Sequence, residues 1–172
     1  MNATFIMRFK AFMFDYLLIF AYLIVLAILN IFLFPSVQNL FSESLVVAQV
    51  TGFIMVTLPV SLYFIMSDSV IGGQSFGKKY IGIKVVNEKE EPLSLLHAIC
   101  RNVLKFLPWE LSHYLVYRLI YLGDAEVPFK YYIIGGIIYA LMFAYILTAI
   151  FTKRKKSLYD IVVKTQVIKV GS

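Results

Sequence analysis

The sequence predicts an all-α integral membrane protein: a bundle of about four transmembrane helices with a small cytoplasmic β element. Three observations carry this. Of the 172 residues, 60% are hydrophobic and 16% aromatic, more apolar than a soluble domain of this length sustains. The stretches 46–66 and 131–151 hold no charge, and 11–34 holds one charge in 24 residues. The basic residues also concentrate on one side of these runs, as cytoplasmic loops require. The expected spans are 11–34, 46–66, 99–122 and 131–151, with a cytoplasmic loop over 67–97 and a basic tail over 152–172, all in one domain.

The first span follows the basic start Arg8-Phe9-Lys10 and runs from Ala11 to Phe34, with Asp15 its lone charge. A helix of 24 residues rises about 36 Å, enough to cross a bilayer with some tilt. A carboxylate at the bilayer centre costs up to roughly 3 kcal/mol, less near an interface, and Asp15 needs water, a proton or a partner. The run is too long for a signal peptide and lacks a small-residue cleavage site, so it reads as a retained span. A short polar linker follows. The second span carries Thr51, Gly52, Thr57, Pro59 and Ser61. Small and hydroxyl residues favour close helix packing, and Pro59 predicts a kink.

The polar loop contains Gly72-Gly73-Gln74-Ser75-Phe76-Gly77-Lys78-Lys79, then a β-like run over 80–86 and a turn over 87–92. Its Gly-x-x-x-x-Gly-Lys is not a phosphate-binding loop. Lys79 stands where Ser or Thr is needed, and a membrane span precedes it. The glycines read as a tight turn, with Lys78 and Lys79 on lipid phosphates. Ser94 suits an N-cap. The next segment holds Arg101, Lys105, Glu110, His113 and Arg118. It either spans over 99–122 or lies in the interface until Pro108 breaks it. The last span bears a small-residue stripe, Gly136, Ala140 and Ala144, suited to packing against another helix. A strand is expected over 165–170.

Charge bias decides between three spans and four. With four, Arg8, Lys10, Lys78, Lys79, Lys84, Lys89 and the 153–156 cluster share one side, opposite Glu43, Asp124 and Glu126. The expectation is a multi-pass plasma-membrane protein with both termini cytoplasmic, and with Arg118 snorkelling towards Asp124 and Glu126. The net charge of +6 then faces anionic lipid headgroups rather than nucleic acid. Cys100 is alone, which excludes an internal disulfide and a thiolate metal site.

These residues resemble the RDD family of small bacterial membrane proteins, named for one arginine and two aspartates. Arg8 and Asp15 stand seven apart with Ala11 between them, as in its first helix. GGQSFGKKYIGIKVVN is similar to its middle loop, and PLSLLHAICRNVLK to its next helix, with Arg101 in the matching place. KSLYDIVVKTQVIKV is similar to its closing segment, with Asp160 as second aspartate and Tyr159 where a histidine is expected. The stretch 109–130 resembles none of its blocks. The resemblance implies transport of ligands not yet identified.

Arg8, Asp15, Arg101 and Asp160 are therefore the expected functional charge cluster. Arg8 leans away from Asp15 along the helix, so Arg8 is expected to meet Asp160, and Asp15 to meet Arg101 or Lys105. The cluster reads as a cation- or proton-binding carboxylate of a transport cycle, or as an ionic clamp docking loop and tail under the bundle. Strands 80–86 and 165–170 would pair to place Asp160 near the first span. Glu110 and His113, three apart, share a helix face as a membrane polar pair, either a proton relay or a hydrogen-bonded packing couple. A metal centre there would need several more carboxylates and a second such pair, so neither metal nor cofactor is expected. No arrangement suggests nucleophilic catalysis, and the residues around Asp15 and Glu110 match no intramembrane aspartyl protease motif. The expectation is not an enzyme but a transporter, with self-association through the Gly136 stripe. The alternative is a non-transporting partner or regulator of another membrane protein.

Overall fold

The computed structural model describes residues 1–170. α1 (Phe5–Ile28) starts at Thr4, whose hydroxyl oxygen accepts from the Met7 N–H and so satisfies an orphan amide of the first turn. It ends in a π-turn over Leu29–Leu33. The expected plain linker contains a short helix, α2 (Val37–Glu43). The second rod is α3 (Leu45–Gly52), a π-turn over Phe53–Thr57, and α4 (Leu58–Asp68). The third and fourth rods are α6 (Leu95–Leu122) and α7 (Phe129–Phe151).

The two prolines inside these rods meet the same problem and find the same solution. A helical proline lacks an N–H and crowds the carbonyl four residues back. Pro59 thereby frees the Met55 carbonyl within the π-turn, and the Tyr22 hydroxyl of α1 donates to it at 2.5 Å. Pro108 frees the Leu104 carbonyl, and the Tyr145 hydroxyl of α7 donates to it at 2.6 Å. With no water in hydrocarbon, such an oxygen has to be satisfied by a neighbouring helix. α6 consequently runs unbroken through Pro108, and the break expected there is absent. It is 28 residues long, roughly 42 Å. Among the described residues, the helices long and apolar enough by composition to cross a membrane are α1 with its π-turn, α3–α4 and α7.

One end of the bundle carries a polar cap. α5 (Phe76–Ile81) is capped by Ser75 and stopped by Gly82, whose φ of 71° is left-handed and suits glycine. The strand expected over 80–86 therefore loses Tyr80 and Ile81 to this helix and starts later, as β1 (Ile83–Asn87). β1 pairs antiparallel with β2 (Thr165–Lys169), Ile83 opposite Lys169 and Asn87 opposite Thr165. The chain start adds to the other edge of β2: the Ala3 N–H donates to the Val167 carbonyl at 2.8 Å, and Asn2 bridges Ile168. Between β2 and α7 lies α8 (Leu158–Val162). Buried Ala3, Ala11, Ile83, Leu93, Ala98 and Val167 form the core under this cap. Each fully buried Ile, Leu or Val side chain there contributes about 1.5–3 kcal/mol, and each alanine methyl less. Loop, tail and amino-terminal segment are thus one structure.

Candidate functional site

Under the cap, charges of alternating sign join five segments. Asp160 is the third residue of α8, and its Oδ2 accepts from the Ser157 N–H at 3.4 Å. The same oxygen accepts from Arg8 Nη1 at 2.5 Å. Its Oδ1 accepts from Arg101 Nε at 3.0 Å and from the Thr165 hydroxyl at 2.9 Å. Arg101 reaches the other way with Nη1, 2.7 Å from Asp68 Oδ2, and the Lys78 ammonium pairs with Asp68 Oδ1. The order Arg8–Asp160–Arg101–Asp68–Lys78 links α1, α8, α6, α4 and α5. Burial alone would raise the Asp160 pKa, but the Arg101 and Arg8 guanidiniums and its hydrogen bonds outweigh that and hold it at about 2.

The expected Arg8–Asp160 meeting is present. The expected meeting of Asp15 with Arg101 or Lys105 is not. Asp15 accepts from the Tyr63 hydroxyl at 2.8 Å, the Ser75 hydroxyl at 2.6 Å and the Gly77 N–H at 2.7 Å. The reason is a close approach of α5 to α1. A Cβ on Gly77 would stand 1.9 Å from the Ala11 carbonyl oxygen, so only glycine lets α5 come near enough for the Gly77 amide to reach Asp15. Lys78, expected on lipid phosphate, is instead buried against Asp68, because the same docking turns it inward. Lys79 is exposed. Lys105 lies 3.9 Å above the Phe64 ring centroid and 4.9 Å from that of Phe106.

A cleft of about 200 Å³ opens between α1 and α7, with α6 behind it. Arg8, Asp15, Lys78, Arg101 and Lys105 border it.

A second polar group lies deeper in the bundle. The Thr57 hydroxyl donates to Glu110 Oε2 at 2.9 Å and is 3.4 Å from His113 Nδ1. Glu110 and His113 share a face as expected, but at 3.8 Å they are too far apart for a direct hydrogen bond. Thr57 joins them. Arg118 donates to Gln49 Oε1 at 2.6 Å and covers the Tyr114 ring. Its expected place beside Asp124 and Glu126 is not taken, because α3 offers an amide closer along the helix.

A model of the RDD family matches residues 2–164. The chain belongs to the RDD family. No curated protein and no solved structure matches it. The family match covers 109–130, which resembled no single block, and ends just before β2. In this RDD chain, Arg8 and Asp160 form a direct ion pair while Asp15 belongs to a separate nest of neutral donors.

Sequence reasoning missed Asp68, which carries no motif of its own and stands at the very end of an apolar run. It also missed Tyr63 and the role of Ser75. Ser75 offered a signal, since a serine ahead of Phe-Gly-Lys-Lys is a helix N-cap whose helix would present free amides to an acid. The His97 Nε2 lies on the Val163 carbonyl and ties α6 to the tail.

Proposed function

We propose that this protein is a small carrier for a ligand not yet identified, with the cleft between α1 and α7 as its site and Asp15 as the proton- or cation-accepting group. The supporting observation is the contrast among the buried aspartates. Asp68 and Asp160 each face two cations within 3.0 Å, whereas Asp15 has no ion pair among the described residues and borders the cleft. A buried carboxylate held by neutral donors alone is the one whose charge changes without breaking an ion pair. In this reading α6 is a fourth span, both termini are cytoplasmic, the protein resides in the plasma membrane, and no catalysis is involved. Alternation of the four rods and the gathering of the basic loop and tail at one end support that topology.

The test is cation-induced proton movement in proteoliposomes, comparing wild type with Asp15→Asn at equal amounts of folded protein. Flux that Asp15→Asn abolishes is the expected result. No flux with sodium, potassium or lithium from folded wild type would overturn monovalent cation coupling. A second reading, a non-transporting partner of another membrane protein, draws on the exposed Gly136 on α7, where an added Cβ would meet no atom within 4 Å.

A further inference from the structure

We propose that the cleft between α1 and α7 binds one phosphate-class anion on Arg8 and Lys105, presented by a membrane phospholipid headgroup. This deepens the reading of the cleft as a ligand site, on which it rests, by naming the ligand class.

The argument begins with unsatisfied donors. Both oxygens of Asp68 and of Asp160 are taken by the clamp, but the cations are not exhausted. Arg8 commits only Nη1, and its Nε and Nη2 are buried with no hydrogen-bond partner. The Lys105 ammonium makes no hydrogen bond or ion pair among the described residues and rests on the Phe64 and Phe106 rings. Arg8, Lys78, Arg101 and Lys105 all border the cleft, against the three carboxylates Asp15, Asp68 and Asp160. With Lys105 protonated, one positive charge is left over, and it sits at the cleft. Asp15 does not compete for these donors, because it is the only carboxylate bordering the cleft and its oxygens already accept from Tyr63, Ser75 and Gly77. A phosphate oxygen suits the planar fork of an arginine and the point charge of a lysine.

Size and surroundings point to the lipid source. The cleft holds about 200 Å³, below the roughly 300–1,000 Å³ of sites that enclose a whole small molecule. A headgroup phosphate needs less room, because its acyl chains remain outside. Phe9 and Phe12 of α1 and Ile146 of α7 line the cleft and are 53%, 43% and 41% exposed. They belong to helices long and apolar enough to span a membrane, so the cleft is flanked by surface suited to acyl chains. Arg8 is the fourth residue of α1, ahead of the charge-poor run over 11–34, where a span meets the headgroups.

The test reconstitutes the full chain into phosphatidylcholine vesicles and reads by electron spin resonance how strongly it immobilises spin-labelled phosphatidylglycerol relative to spin-labelled phosphatidylcholine, whose choline cancels the phosphate charge. Wild type is expected to prefer phosphatidylglycerol about fivefold, the effect of one basic side chain at a headgroup. Lys105→Gln removes no hydrogen bond and is expected to fold and lose the preference, while Lys79→Gln, on the exposed side of α5, keeps it. A second arm titrates inorganic phosphate into detergent-solubilised protein and reads phosphorus line broadening. Phosphate broadening that Lys105→Gln abolishes, without any lipid preference, keeps the anion site and overturns the lipid source. Equal behaviour of wild type and Lys105→Gln in both arms overturns the proposal. These are binding readouts, so their failure is separate from a failure of proton flux.

Discussion

The clamp of Arg8, Asp160, Arg101, Asp68 and Lys78 and the trio of Thr57, Glu110 and His113 both place charge inside an apolar bundle, yet on different terms. In the clamp, Asp68 and Asp160 have side chains 0% exposed, and every carboxylate oxygen is matched by a cation. In the trio, Glu110 and His113 keep 32% exposure, stand 3.8 Å apart and share one hydroxyl. The difference follows from solvation. A charge wholly removed from water loses several kcal/mol of solvation and persists only with excellent partners. One that keeps part of its contact with the surroundings tolerates loose geometry. Tight closure ties the loop, the tail and α1 into one cap, whereas the looser trio has freedom to rearrange.

The largest test of this contrast is Asp160→Asn. It leaves the Arg8 and Arg101 guanidiniums buried beside a neutral amide, and breaking a buried pair from one side costs about 3–5 kcal/mol. Denaturant titration of detergent-solubilised protein is expected to show that loss. The pH dependence gives a second readout. Folding holds the Asp160 pKa at about 2, below its ordinary 3.8. The carboxylate therefore contributes stability that is present above the unfolded value and is lost as pH falls through the folded one. For a fully buried group this shift corresponds to about 2 kcal/mol. Wild type should weaken from about pH 4 down to about pH 2, and Asp160→Asn should show less of that slope. A variant as stable as wild type would mean the clamp is not closed.

A smaller effect is expected where a neutral group meets the same need. Tyr145→Phe removes only the hydroxyl that serves the Leu104 carbonyl beside Pro108. An unsatisfied buried carbonyl costs about 1–3 kcal/mol, so this variant should lie between the clamp and the trio in the same titration. A loss as large as that of Asp160→Asn would show that backbone satisfaction, not charge closure, dominates the stability of the bundle.

Much of the fold was legible because its signals are local. Charge-free apolar runs, Ser94 and Pro59 each act through their own neighbours, and the pairing of β1 with β2 follows from their composition and from the tail's need to return to the loop. The Arg8–Asp160 pair was legible because side chains on α1 lean towards its start. The partners of Asp15 were not, since they depend on how closely α5 docks, and that is decided by the absence of a single Cβ at Gly77. Lys78 was misplaced for the same reason. Each proline announces a freed carbonyl four residues back, but nothing in the sequence says that Tyr22 and Tyr145 are the side chains that reach it.

Glu110→Gln is the smallest of these changes and the sharpest test of the contrast. Glutamine keeps an acceptor for the Thr57 hydroxyl, and no cation in the trio is left unpaired unless His113 is protonated. With Glu110 about one third exposed, the interaction is partly screened, and the expected loss is below about 1 kcal/mol. If denaturation instead shows a loss comparable to that of Asp160→Asn, the trio is sealed from its surroundings and His113 carries charge in the folded protein. Thr57→Val would then be costly as well, because it removes the hydroxyl that joins the pair. A small loss for Glu110→Gln would show that, of these two groups, only the clamp depends on closed charge pairing for stability.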